Sequence, residues 1–253
     1  MTDEKKNNII ISKETARRLI KDVRDIIKHP LTENGIYYTH HETDIMSGYA
    51  LIIGPEDTLY EDGFYLFEFI FPHDYPHTPP KVIYHTNDGI TRFHPNLYRN
   101  GKVCLSILNT WKGETWTSCQ SIRTVLLTLV TLFHNKPLLN EPGLTESHRD
   151  FNTYNEIIKY KNLEVAIMSI LQEKCLPECF YSYKSIMIDH FKKNYKRIEN
   201  KVRKYLEEKK DYKKVSCNVY FIRDVLLDYK ELESMYYQTL KTLKMPITEI
   251  TIE

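Results

Sequence analysis

The sequence predicts an α+β fold in which a four-stranded antiparallel sheet is flanked by helices and followed by a helical extension. Three observations carry this reading. Helical periodicity opens the chain, four short β-rich runs follow between Gly35 and Thr86 on connections too short for crossover helices, and helical periodicity returns from Ser121 onward.

The first helix spans Ser12 to Lys28. Ser12 is a suitable N-cap, Thr15 lies in the first turn, and Leu19, Val23, Ile26 and Ile27 recur at helical spacing until His29-Pro30 ends the run. Arg17, Arg18, Lys21, Arg24 and Lys28 form an outward basic stripe, which suits a solvated face and a docking face for an acidic partner equally. The β-rich runs are GIYYTHHE, IMSGYALIIG, GFYLFEFIFP and KVIYHT, separated by Gly-Pro, Asp-Gly and HDYPHTPP, the pattern of a meander. From Ile90 to Glu114 periodicity disappears, and irregular backbone of this kind is where chemistry tends to sit.

Two further helices complete the core. Ser121 to Phe133 carries Ile122, Val125, Leu126, Leu129 and Leu132 on one stripe, and Phe151 to Gln172 carries Tyr154, Ile157, Leu163, Ile167, Ile170 and Leu171. Beyond Lys174 two long amphipathic helices are expected. One bears Phe191, Tyr195, Ile198, Val202 and Tyr205. The other bears Ile222, Val225, Tyr229, Leu232, Tyr236, Leu240 and Leu243, either paired with the first across Asp211 to Cys217 or turned toward a partner. The chain divides into a flexible N-terminus (1–11), a core domain (12–172) and a helical C-terminal extension (173–253).

At 253 residues and 42% hydrophobic content the chain can bury one full core and a smaller second cluster. No run reaches the ~20 apolar residues of a membrane span, and the opening MTDEKKNN lacks a secretory pattern, so an intracellular protein is expected, cytoplasmic and extending to the nucleus. Five scattered cysteines argue for reduced thiols rather than a disulfide framework. Cys175 and Cys179 resemble half a zinc site, but no second pair stands at ligand spacing, which favours structural cysteines and no metal. The net charge is +1, yet Tyr181 to Lys214 holds twelve Lys/Arg against five Asp/Glu. That segment reads as a solvated helix face before it reads as a nucleic-acid, membrane or acidic-protein site.

The informative stretch is RFHPNLYRNGKVCLSIL, Arg92 to Leu108, where a proline-fixed turn places Asn96 eight residues before Cys104. Alone, a cysteine between Val103 and Leu105 reads as a small buried hydrophobe, and His-Pro-Asn reads as a turn. In order with the elements around them, Tyr75, Pro76, Pro79, Pro80, His94, Pro95, Asn96, Gly101, Cys104, Leu105 and Trp116 resemble the ubiquitin-conjugating enzymes from about Ser12 to Gln172. A widened interval between Cys104 and Trp116, with extra residues around Asn109 to Glu114, and Asn-Glu-Pro-Gly at 140–143 resemble that family's large, C-terminally extended "Z" subgroup.

The resemblance implies the UBC fold and a transferase that carries ubiquitin or a ubiquitin-like modifier as a thioester on Cys104, without cofactor. It implies that an activating enzyme loads the protein at the basic first helix, through Arg17, Arg18 and Lys21. The acyl group then passes to a lysine of a protein substrate or to a ligase. Asn96 is the carried-over candidate for stabilising the oxyanion, with a role in shaping the Cys104 loop equally open. Glu141 is the candidate acid that positions the amine; its alternative is a polar turn residue before Pro142. His94, Pro95, Asn140 and Trp116 are implied to be structural parts of the site. Two departures bear on ligases: His77 stands where a large apolar residue is usual, and Thr117-Ser118-Cys119 replaces Ser-Pro-Ala, so His77, Ser118 and Cys119 mark a ligase surface of altered character, with Cys119 itself read as structural. A cysteine peptidase using His94, His134 or His148, and a non-catalytic modifier-binding scaffold, stay open as alternatives.

Overall fold

The computed structural model describes residues 11–209 and 212–246, so the expectation of a flexible N-terminus falls almost wholly outside the described residues. Helix α1 (Lys13–Lys28) starts where Ser12 Oγ accepts from the Thr15 N–H at 2.9 Å. Its buried stripe is Thr15, Leu19, Asp22 and Ile26. Ile27 was expected on that stripe but is 72% exposed, because it stands about 100° around the helix from Ile26.

Strands β1 (Ile36–His40), β2 (Ser47–Ile53), β3 (Phe64–Ile70) and β4 (Lys81–Tyr84) form one antiparallel sheet in sequence order. Pairing sets Tyr65 opposite Ile52 and Phe67 opposite Ala50, and because strand side chains alternate, these lie on one face with Phe69. Phe133, just beyond α2 (Ile122–Val130), stacks on Tyr65 at 4.3 Å and covers that face. Helix α2 begins at a reciprocal cap between Ser121 and Thr124. Helix α3 (Phe151–Lys161) passes without interruption into a π-helical stretch, Asn162–Ser169. Asn162 is buried there, accepting from the Tyr65 hydroxyl at 2.6 Å and donating to the Glu61 carbonyl at 2.8 Å.

The other face of the sheet carries Tyr49, Leu51, Phe64 and Leu66, and the C-terminal extension closes it. Phe180 packs edge-on against Tyr49 at 5.5 Å, the Tyr183 hydroxyl donates to the Tyr49 carbonyl at 2.6 Å, and His190 meets Phe64 at 5.9 Å. Leu51 and Leu66 are thereby fully buried, each contributing about 2 kcal/mol relative to exposure.

Within the extension, α4 (Lys184–Lys209) carries the first expected stripe, with Phe191, Ile198 and Val202 buried. The second expected helix is corrected. Tyr212–Cys217 and Ile222–Asp228 form an antiparallel hairpin, β5 and β6, and α5 runs only from Tyr229 to Thr242. Val225 and Leu227 alternate inward on β6, and Ile222 and Val225, which fitted a helical step, lie instead on this strand. Asp228 caps α5 by accepting from the Glu231 N–H at 2.9 Å. Among the described residues no helix is long and apolar enough to cross a membrane.

The basic face of α4 is only partly solvated. Asp62, in the β2–β3 connection and 1% exposed, accepts from His190 at 2.9 Å and Arg197 at 2.6 Å, with Lys201 at 3.3 Å. Burial pushes its carboxyl upward, but the hydrogen bonds from His190 and Arg197 and the nearby Lys201 and Arg197 charges outweigh it and hold the pKa at about 2. A depressed carboxylate stabilises the fold fully above its unfolded value of about 4. That contribution is lost as pH falls through the folded value of about 2. Asp62→Asn is expected to lower stability near neutral pH by about 2 kcal/mol, a deficit that shrinks toward the acid limit. Urea midpoints across that range check it; an equal deficit at all pH values would contradict the clamp.

Candidate active site

After β4 the chain turns back along the sheet, and Tyr84 N–H donates to the Gly101 carbonyl at 2.8 Å. Gly101 has φ of 84°, and a Cβ there would meet Ile83 at 2.9 Å and the Tyr84 carbonyl at 3.0 Å, so the strand can return this closely only through glycine. Phe93 and Arg92 are anchored from below. The Tyr60 hydroxyl donates to the Phe93 carbonyl at 2.8 Å, and that of Tyr154 to the Arg92 carbonyl at 2.7 Å.

The His94-Pro95-Asn96 turn sits on these anchors. His94 is wholly buried, and its Nδ1 accepts from the Asn96 N–H at 3.1 Å. Burial, together with the charges of His134 and Arg92, pushes its pKa well below the ordinary histidine range. It is therefore a neutral ring bracing the backbone. Pro95 is buried beside it.

Asn96 and Cys104 grip each other. The Cys104 N–H donates to the Asn96 carbonyl at 2.9 Å, and Asn96 Nδ2 donates to the Cys104 carbonyl at 2.6 Å. From the opposite side Thr110 Oγ1 accepts from the Leu105 N–H at 2.9 Å and lies 2.9 Å from the Val103 carbonyl, so one hydroxyl binds the backbone on both flanks of the cysteine. Thr110 belongs to the widened loop, and sequence reading did not single it out. Asn109 closes the loop in a left-handed conformation, φ 55°, with Oδ1 accepting from the Trp116 N–H at 2.9 Å. Cys104 is 2% exposed.

Asn140 approaches from the turn after α2: its Nδ2 lies 3.4 Å from Asn96 Oδ1, and its Oδ1 accepts from His134 Nε2 at 3.1 Å. Glu141 follows, half-buried, with Oε2 accepting from the Tyr220 hydroxyl at 2.6 Å. Tyr220 belongs to the β5–β6 turn and had no signal in the sequence. Among the described residues, none of the three histidines considered as peptidase partners is paired with the cysteine, and buried His94 Nε2 has no hydrogen-bond partner. Nδ1 of each of His94, His134 and His148 accepts a backbone N–H, and among the described residues no hydrogen bond joins Cys104 to an imidazole.

The remaining candidates separate into buried and exposed. Trp116 is buried against Tyr75, and its Nε1 donates to the Pro76 carbonyl at 2.7 Å. Arg18 does not stand on the outward basic stripe. It pairs with buried Asp22 at 2.8 Å and donates to the Ser118 and Gln120 carbonyls, leaving 18% of its side chain exposed. Arg17 and Lys21 are exposed and line a shallow groove with Ile20, Arg24 and Lys28. His77 is exposed, 3.2 Å from Glu14, and Ser118 and Cys119 are exposed on the neighbouring loop. Cys119, read as structural, is an exposed free thiol just before α2.

Sequence comparison accords with this geometry. A profile of the family described as ubiquitin-conjugating enzyme matches residues 18–162, more than half of the chain. "Ubiquitin-conjugating enzyme E2 Z" of Xenopus tropicalis is 40% identical over 187 residues, covering 73% of this chain and 58% of that protein. The protein of the same description from Homo sapiens is 42% identical over 161 residues, 62% of this chain and 45% of that one. "Probable ubiquitin-conjugating enzyme E2 R521" of Acanthamoeba polyphaga mimivirus is 31% identical over 228 residues, 87% of this chain and 15% of that protein. The chain spans about half the length of the two E2 Z relatives. With the four-stranded meander, the His-Pro-Asn turn and the bracketed cysteine in the matched region, the chain belongs to the ubiquitin-conjugating enzyme family.

Proposed function

We propose that this chain accepts ubiquitin or a ubiquitin-like modifier from an activating enzyme as a thioester on Cys104 and passes it to an amine. The observation that carries the reading is the double bracket around Cys104, by Asn96 on one side and Thr110 on the other. It fixes one backbone position for one thiol, as near-attack geometry requires.

The chemistry follows from sulfur. The Cys104 thiolate attacks the modifier's thioester carbonyl, the new C–S bond forms as the old one breaks, and the activating enzyme's thiolate leaves in a nearly isoenergetic exchange. An acceptor amine then attacks the same carbonyl, the N–C bond forms, Cys104 departs as thiolate, and the amine proton goes to solvent. Asn96 is the positioning residue for Cys104, since its amide is engaged with the Cys104 carbonyl in the resting protein. A bare carboxylate would raise the pKa of a neighbouring amine, so Glu141 acts by orienting the amine rather than deprotonating it.

Partners follow the exposed surfaces. The activating enzyme docks on the groove of Arg17, Ile20, Lys21, Arg24 and Lys28, which joins basic charge to exposed apolar surface. A ligase docks where His77, Ser118 and Cys119 are exposed together, and the widened loop over Cys104 limits which modifier tail enters. The slight exposure of Cys104 supports a second reading, a modifier-binding scaffold whose thiol stays covered.

Loading separates the two. Incubated with activating enzyme, ATP and a panel of ubiquitin-like modifiers, the protein should form a reductant-sensitive adduct. Cys104→Ser should give a reductant-resistant one or none; absence of any adduct with the unsubstituted protein would favour the scaffold. Glu141→Ala should slow discharge to free lysine about tenfold while thioester loading changes far less, and equal losses in both would remove Glu141 from the amine's path.

A further inference from the structure

The hairpin of the C-terminal extension ends against Glu141. Tyr220 lies in the turn between β5 and β6 with φ of 63°, and Phe221 follows with φ of 54°. Two successive non-glycine residues in the left-handed region persist only where their surroundings over-determine them.

The surroundings do so here. The Asp150 carboxylate accepts from the Asn218 and Val219 N–H groups at 2.9 and 3.1 Å, and Arg99 donates to the Tyr220 carbonyl at 2.7 Å. The Arg92 guanidinium stacks on both Tyr98 and Tyr220, 3.6 and 4.2 Å from the ring centres, and Tyr154 meets Tyr220 edge-on at 6.0 Å. Asp150, Arg99, Arg92 and Tyr154 all belong to the core, and two of them, Arg92 and Arg99, flank the His-Pro-Asn turn.

This scaffold delivers one polar group to the site, the Tyr220 hydroxyl on Glu141 Oε2 at 2.6 Å. Glu141 Oε1 has no hydrogen bond among the described residues. Burial and the adjacent Glu141 both push the phenol's pKa upward, so it remains a donor throughout the working range.

We infer that Tyr220 is a positioning residue for acyl transfer: its hydroxyl holds Glu141 by one oxygen and leaves the other for the N–H of the incoming amine, a role that rests on the amine-orienting function given to Glu141 above. The C-terminal extension thereby supplies part of the acceptor side of the site. A glutamate without this anchor samples several rotamers, and the amine meets it in the productive one less often.

Tyr220→Phe removes only the hydroxyl. Charged with ubiquitin by activating enzyme and ATP, the variant should discharge to free lysine about five- to tenfold more slowly than the unsubstituted protein. Discharge to mercaptoethanol, which presents no N–H to Glu141, should change less than about twofold. The lysine-to-thiol ratio is insensitive to any fraction of protein that fails to charge, so a loss of folded protein does not imitate the effect. An unchanged lysine rate, or equal slowing with both acceptors, would overturn the inference. Glu141→Ala distinguishes the layers. If it leaves the lysine rate intact, the Glu141 reading fails; if it slows lysine while Tyr220→Phe does not, only the role of Tyr220 fails. In the double variant the two losses should not multiply, because the hydroxyl has no carboxylate left to hold, and multiplicative losses would assign Tyr220 a separate, structural effect.

Discussion

The reciprocal pair of hydrogen bonds between Asn96 and Cys104 is the constraint on which the site depends. A cysteine on irregular backbone has no helix or sheet ladder to set its position, so side chains must do it. Each surrounding feature serves that pair. Neutral His94 shapes the turn that presents Asn96, Tyr60 and Tyr154 hold the carbonyls just before it, and Gly101 lets the return strand lie close to β4. Thr110 ties the backbone on both sides of the cysteine. The site is thus assembled from backbone contacts over a rigid sheet, an economical way to keep one thiol in register while the loop around it varies.

The extension is part of that same structure rather than a separate appendage. It covers the second face of the sheet through Phe180, Tyr183 and His190, is clamped electrostatically through Asp62, and sends its hairpin tip to Glu141. Buried side chains from Leu19 to Leu240 form one continuous cluster. Removing the extension would therefore expose Leu51, Phe64 and Leu66 and release Glu141 at once, which couples the packing of the sheet to the setting of Glu141.

The meander, the helices of the core and the cysteine motif were legible because each rests on local pattern. Strand alternation, the Ser12 and Ser121 caps and the spacing from His94 to Cys104 are all written within a few residues of the feature they specify. The hairpin was not legible, for a physical reason. Ile222, Val225 and Tyr229 step by three and four, satisfying a helical period by coincidence, and the turn contains no glycine to announce it. Its left-handed Tyr220 and Phe221 are held by Arg99 and Asp150, 121 and 68 or more residues away in sequence. Arg18 was misread for a related reason. Its pairing with Asp22 spans four residues, but the carbonyls of Ser118 and Gln120 that draw it inward lie 100 and 102 residues away in sequence. Thr110 had no signal beyond lying in a widened loop.

Asn96→Ala tests the central claim most directly, by comparing its thioester loading with its discharge to lysine and its thermal midpoint. If Asn96 acts by gripping the Cys104 backbone, loading and discharge should fall together, with a stability loss of about 1–2 kcal/mol for the broken hydrogen bond. A protein of unchanged stability that loads normally and fails only in discharge would contradict it, and would place the Asn96 amide on the oxyanion instead.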